Sequence, residues 1–316
     1  MNELMEKIRR ELPSAAFRPH PQSALLLIPL LGIIMGGTVW IATALPPWYL
    51  ALPAAFVIGQ AYASLAFLGH ETLHGSVFAS RRCQTALGFI AFLIFCIPPR
   101  LWRLWHNELH HGHTNKTAFD PDAPGHLEEF YHRPWFRWSS RYFALGSGHW
   151  LSIFSLFYGL DAQMLMVLTM KPKTGLPRHE RTLRMARAES LAIALFWLLF
   201  AVWLGIPTAI YCVLIPMAIA NFTVMSYIIT NHRLRPVDGK DDPLEHSMSV
   251  LTLPFFDWLH LNFSHHVEHH FFPQLSWRFT PLVRQGLRKH APERFEVLPH
   301  LEALKRIFQK VPRERI

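Results

Sequence analysis

Three short stretches of this chain put imidazoles where a metal ion could use them. They are His70-Glu71-Thr72-Leu73-His74, Leu104-Trp105-His106-Asn107-Glu108-Leu109-His110-His111-Gly112-His113, and His265-His266-Val267-Glu268-His269-His270. Half of the chain's 20 histidines fall inside them. On a helix, His70 and His74 lie one turn apart on one face. His106 and His110 do the same, with His111 rotated just beside them. Imidazole suits zinc, copper, iron and nickel alike. A structural zinc ion takes four ligands, and the boxes supply more than one ion can use, which points to two ions with positions left for chemistry.

The elements that must hold these boxes are apolar. Of 316 residues, 51% are hydrophobic and 17% charged, and the charges are unevenly spread. Ser190 to Thr230 contains no Asp, Glu, Lys or Arg. A single span needs about 20 apolar residues, so the run divides at Gly205-Ile206-Pro207 into two helices. Ser23–Leu45 and Tyr49–Gly69 form a similar pair around Pro46-Pro47-Trp48. The fold class expected is an all-α integral membrane protein. Its four transmembrane helices (about 23–45, 49–69, 188–206 and 208–230) form two hairpins, with a cytoplasmic helical cap carrying the three boxes, all within one domain over 1–316.

Basic residues set the orientation. Of the 31 Lys and Arg, none lies at either hairpin tip; they fall before the first hairpin, between the two and after the second. By the positive-inside rule both termini and all three boxes are cytoplasmic, in the cell inner membrane if the source is bacterial. The net charge of +9 then reflects topology and attraction to anionic lipid; no motif reads bases, and no nucleic-acid partner is expected. The apolar run 87–99 is short for a span and is expected to be re-entrant or interfacial. Met1–Pro19 is expected on the cytoplasmic surface, and residues 131–170 as an amphipathic layer along the membrane. Cys83, Cys96 and Cys212 match no metal or disulfide spacing. Turn formation is the expected role of Asp120-Pro121-Asp122. His126, His132, His149 and His179 read as ordinary surface or core residues.

The spacings His70-x3-His74, His106-x3-His110-His111 and His266-x2-His269-His270 resemble the histidine boxes of membrane fatty acid desaturases. Box order, paired hairpins, the context from Trp105-His106-Asn107 through Asp120-Pro121-Asp122, and the segment His266-Val267-Glu268-His269-His270-Phe271-Phe272-Pro273 share in the likeness. The resemblance implies a centre of two Fe ions held by histidines, O2 as co-substrate, and removal of two adjacent hydrogens from an acyl chain to leave a double bond. Carried over, the ligands are His70, His74, His106, His110, His111, His266, His269 and His270. The family's additional histidine falls on His232, with Asn231 as a polar partner beside the metal. Glu268 is a candidate partner for a ligand's second N–H. His113 and His265 are outside the ligand set. The spans and the run Met248–Phe263 are expected to wall an apolar acyl slot. No cytochrome, flavin or iron–sulfur module resembles any segment, so electrons are expected from a separate donor of ferredoxin or cytochrome b5 type with an NAD(P)H reductase.

A carotenoid ketolase or a lipid hydroxylase of the same superfamily would carry similar boxes. A metal transporter is a reading of another class, but transport sites sit near the bilayer midplane on broken helices, whereas these histidines cluster at helix ends.

Overall fold

The computed structural model describes residues 2–123, 134–144, 147–169 and 177–309. His126 and His132, and parts of the 131–170 layer, lie outside these. The chain divides into two units, one of His20–Leu104 and Phe157–Met225, the other of Met1–Pro19, Trp105–Leu156 and Ser226–Ile316.

Four helices are long and apolar enough to cross a membrane: Pro21–Ala44, Trp48–His74, Arg178–Leu204 and Ile206–His232. The first, and the third from Ser190 onward, carry no charged outer face. Ile28, Met35 and Val39 on one, and Leu191, Leu195, Leu199 and Val202 on the other, are all exposed. An apolar surface this continuous suits lipid and not water.

The sequence places the end of the second span at Gly69, but the helix continues through His74. Gly69 is a packing residue: a Cβ there would come within 2.7 Å of the Ala91 Cβ. The stop is Gly75, whose φ of 92° suits glycine and whose N–H closes onto Glu71 and Thr72 carbonyls. Box one therefore rides on the last turns of a membrane helix. The third helix likewise begins earlier than expected, with charged turns from Arg178 to Glu189 preceding its apolar part.

Residues 87–99 do not form one element. A helix Arg81–Ala91, capped by Ser80, gives way to a tight turn Leu93–Phe95, a left-handed Cys96 and a short helix Pro99–Trp102. Leu87, Ala91, Phe92, Ile94, Phe95 and Ile97 are buried, and Trp197 Nε1 donates to the Leu93 carbonyl at 2.7 Å. The run is apolar because it packs against its own protein.

The second unit has its own core of Ile8, Leu12, Ala16, Leu244, Val267, Phe271, Leu275, Val283 and Leu287. The helix Asn2–Glu11 is amphipathic and Ile8 packs against Gly286 of the helix Thr280–His290; its apolar face is thus core, not surface. Ser249–Leu251 and Val297–Pro299 pair as a short parallel sheet, a departure from all-helical structure too brief to leave a periodic signal.

Candidate metal centre

In the membrane-helix unit, His70 and His74 are both buried, with ring centroids 4.7 Å apart in an edge-on arrangement. Trp102 lies 6.1 Å from His70, and the Ser76 hydroxyl donates to the Glu71 carboxylate at 2.9 Å.

The other unit holds the remaining seven histidines of the expected set. Box two is not an α-helix: Arg103–His110 is wound as a π-helix, continued by a bond from the His111 N–H to the His106 carbonyl at 2.9 Å. This five-residue closure brings His106 Nε2 within 3.2 Å of His111 Nε2, and His269 Nε2 lies 3.1 Å from the same atom. The ligand nitrogens of these three are all within 4.8 Å of one another.

A second constellation consists of His110, His232, His266 and His270, all four buried, with one nitrogen of each within 4.8 Å of the others. His232 Nε2 is 2.7 Å from His266 Nε2, which is 3.1 Å from His270 Nε2. The opposite ring atoms explain the orientation. His232 Nδ1 faces the His246 carbonyl at 3.2 Å and must donate to it, because a carbonyl can only accept. His110 Nδ1 faces both oxygens of Asp120 at 3.1 Å. In the neutral ring that leaves each Nε2 as a bare lone pair. Bare lone pairs gathered in a buried space repel one another unless a cation lies between them, so the donor set fits a metal ion.

Asp120 does more than turn the chain. It is fully buried and accepts from the Asn115 and Asp122 N–H groups at 2.8 and 2.9 Å, as well as from His110. Trp105 Nε1 donates to Asp122 at 2.7 Å. Asn115, in the left-handed region at φ 57°, donates to the His232 and His246 carbonyls. Burial drives the His110 pKa down, but the neighbouring Asp120 charge and hydrogen bond outweigh it and the net shift is upward. Burial pushes Asp122 up to about 6, against the pull of His110. Burial, reinforced by the surrounding imidazoles, holds His270 well below its ordinary value.

Two other expected residues have distinct places. Both side-chain amide atoms of Asn231 are buried with no hydrogen-bond partner among the described residues. Glu268, fully buried, is held by the Arg284 guanidinium and the Ser249 hydroxyl, so its carboxylate serves this ion pair. His113 rests on the Phe119 ring, 4.8 Å between centroids. His265 precedes the helix His266–Phe271, and burial lowers its pKa.

His246 escapes a reading by spacing. It is buried with its ring 5.4 Å from His270, and burial first, then nearby His110, lowers its pKa to about 4. A lone histidine after Asp242-Pro243-Leu244-Glu245 carries no motif signal.

Four long apolar helices and a buried polyhistidine constellation that could hold a metal ion are the features of a multi-pass membrane protein with a candidate metal centre. The fatty acid desaturase family profile matches residues 46–300, and the chain belongs to that family. It is 32% identical over 118 residues to the sn-1 oleoyl-lipid 12-desaturase of Arthrospira platensis, covering 37% of this chain and 33% of that protein. The corresponding protein of Anabaena variabilis is 32% identical over 117 residues, again 37% and 33% of the two chains. These matches span about a third of the relatives' length. A longer match, 23% identical over 288 residues, covers 80% of this chain and 77% of the sn-1 linoleoyl-lipid 6-desaturase of a Synechocystis strain.

Proposed function

We propose that this protein is an O2-dependent, di-iron fatty acyl desaturase that acts on acyl chains of membrane lipid. The observation that carries the reading is the buried constellation of His110, His232, His266 and His270, in which the Nδ1 partners of His110 and His232 leave Nε2 lone pairs converging. The proposed ligand set is His70, His74, His106, His110, His111, His232, His266, His269 and His270. Bound iron would supply the oxidising power, with O2 and two electrons, that an unactivated C–H bond requires. The protein's own residues do the holding. Asp120 keeps the proton on His110 Nδ1, the His246 carbonyl keeps it on His232 Nδ1, and the Asn231 amide offers an unspent donor and acceptor beside His232. Burial of these side chains keeps bulk water away from the oxidant.

Lysine and arginine placement supports cytoplasmic termini and boxes, with the spans as two hairpins. The electron donor is a separate ferredoxin or cytochrome b5 type protein. The oleoyl-lipid and linoleoyl-lipid relatives support an intact lipid as the acyl carrier.

The test is lipid profiling of a host that expresses the chain. New double bonds are expected with the wild type, and none with His110→Ala or His269→Ala at equal membrane abundance. Ketocarotenoids or hydroxylated acyl chains in their place would move the assignment to another branch of the superfamily, and unaltered desaturation in either variant would remove the boxes from the chemistry.

A further inference from the structure

The stretch between the end of the fourth helix and box three turns its large apolar side chains outward. Leu253, Phe255 and Trp258 are 66%, 62% and 58% exposed, and Leu251 and Phe256 are exposed beside them. They line the short helix Pro254–Leu259 and its approach, and do not wall an internal slot. The helix's single charge is turned inward, since the Asp257 carboxylate accepts from the Thr252 and Ser264 hydroxyls at 2.6 and 2.5 Å. The parallel pairing of Leu251 with Pro299 brings Leu301, 73% exposed, to the same neighbourhood. Lys305 follows Leu301 by one helical turn on the same face.

This face is fastened to one short part of the fourth membrane helix. Tyr227 bonds through its hydroxyl to His260 Nδ1 at 3.0 Å and stacks on His300 with centroids 4.5 Å apart. His300 Nε2 donates to the Ser226 carbonyl at 3.1 Å, and the Met248 N–H to the Asn231 carbonyl at 2.8 Å. The helix runs from Ile206 to His232. If Ile206 marks one edge of the hydrocarbon, a span of about 20 residues puts the other edge near Ser226–Tyr227. The exposed patch is attached at that depth.

We propose that Leu251, Leu253, Phe255, Phe256, Trp258 and Leu301 form a membrane-seated face, immersed at the boundary between headgroups and acyl chains, with Lys305 reaching anionic headgroups. Tryptophan and phenylalanine on a helix whose one acid is turned inward suit that boundary, and lysine reaches from it to the interface. A second copy of the chain is the competing occupant; the attachment at the hydrocarbon edge favours lipid. The inference rests on the reading of the four helices as spans, and makes the segment that leads into box three a lipid contact.

The test uses full-length protein with Cys83, Cys96 and Cys212 replaced by alanine, in nanodiscs of phosphatidylcholine and phosphatidylglycerol. A nitroxide is placed on Leu253→Cys or Phe255→Cys, with Ile28→Cys in the first span and Lys240→Cys on a charged loop as references. Collision with O2, which concentrates in lipid, is compared with collision with a water-soluble nickel chelate. The O2-to-nickel ratio at 253 and 255 should exceed that at 240 severalfold and approach that at 28. A ratio matching position 240, with position 28 high, overturns the face alone. A low ratio at position 28 as well overturns the span reading beneath it. Low collision with both reagents at 253 and 255 means that protein covers the patch, and overturns the lipid assignment in favour of a second copy.

Discussion

Replacing Asp120 by asparagine should weaken one metal site while leaving the fold in place. Asp120 Oδ1 and Oδ2 both sit 3.1 Å from His110 Nδ1, and the carboxylate also accepts two backbone N–H groups. Asparagine keeps the shape but presents an amide N–H to at least one of these donors. A charge-assisted hydrogen bond is worth about 1.5–3 kcal/mol, and loss of a carboxylate that orients a ligating histidine costs about 10–100-fold in metal affinity. The two estimates agree, since a tenfold change is about 1.4 kcal/mol. The assay is iron content per chain after equilibration against a graded series of chelator, with a thermal melt in parallel. The variant should surrender one of two irons at roughly ten- to a hundredfold lower chelator, and turnover should fall in step. Full retention of both irons with normal turnover would refute the idea that Asp120 orients His110. A large fall in melting temperature at unchanged affinity would refute it too, by showing that Asp120 serves only the turn.

His232→Ala should lose activity and about one iron per chain, whereas a helix-end role alone would cost at most ~1 kcal/mol; metal analysis beside a melt separates the two. Arg284→Met leaves the buried Glu268 carboxylate without its cation, and breaking such a pair costs about 3–5 kcal/mol. That should appear as a marked drop in melting temperature, and an unshifted melt would count against the pair. Burial holds His246 and His260 at about 4, below the unfolded value of about 6.5. The unfolded chain therefore binds more protons between those values, so this stability is complete above about pH 6.5 and is lost as pH falls toward 4. Each histidine contributes ~3 kcal/mol at most. Melts recorded across that window in the presence of chelator should fall steadily, and a flat profile would contradict the burial argument.

Much of the architecture was legible because lipid imposes simple demands. A charge-free run such as Ser190–Thr230 has few alternatives to a pair of helices, and the proline and glycine breaks mark where they part. Helix ends were less legible. Gly69 and Gly75 read alike in one dimension, and only the approach of Ala91 shows that the first is a packing position and the second a stop. Most of the run 87–99 is buried against its own protein, a cause of apolarity that hydropathy does not distinguish from contact with lipid. In the site, the box histidines announce themselves by spacing, whereas their partners do not. Asp120 lies ten residues beyond His110 across a turn, and the His246 carbonyl is a backbone group that no side-chain pattern reports. Glu268, by contrast, reads as a histidine partner because it sits inside a box, but its helix position turns it toward Arg284.

The π-wound backbone of box two accounts for a difference between motifs that otherwise looks arbitrary. In box three, His269 and His270 follow His266 by three and four residues. On an α-helix, at about 100° per residue, they fall about 60° to one side of it and about 40° to the other. In box two, His110 and His111 follow His106 by four and five residues, and the same winding would put His111 about 140° away. At about 4.4 residues per turn, a π-helix advances about 82° per residue, which places His110 about 33° to one side of His106 and His111 about 49° to the other. Both boxes therefore fan three imidazoles into a sector of roughly a quarter-turn, one by its sequence spacing and the other by its pitch. The extra residue of box two is absorbed by the backbone, so the count between histidines differs from box to box while the arc they present stays nearly constant.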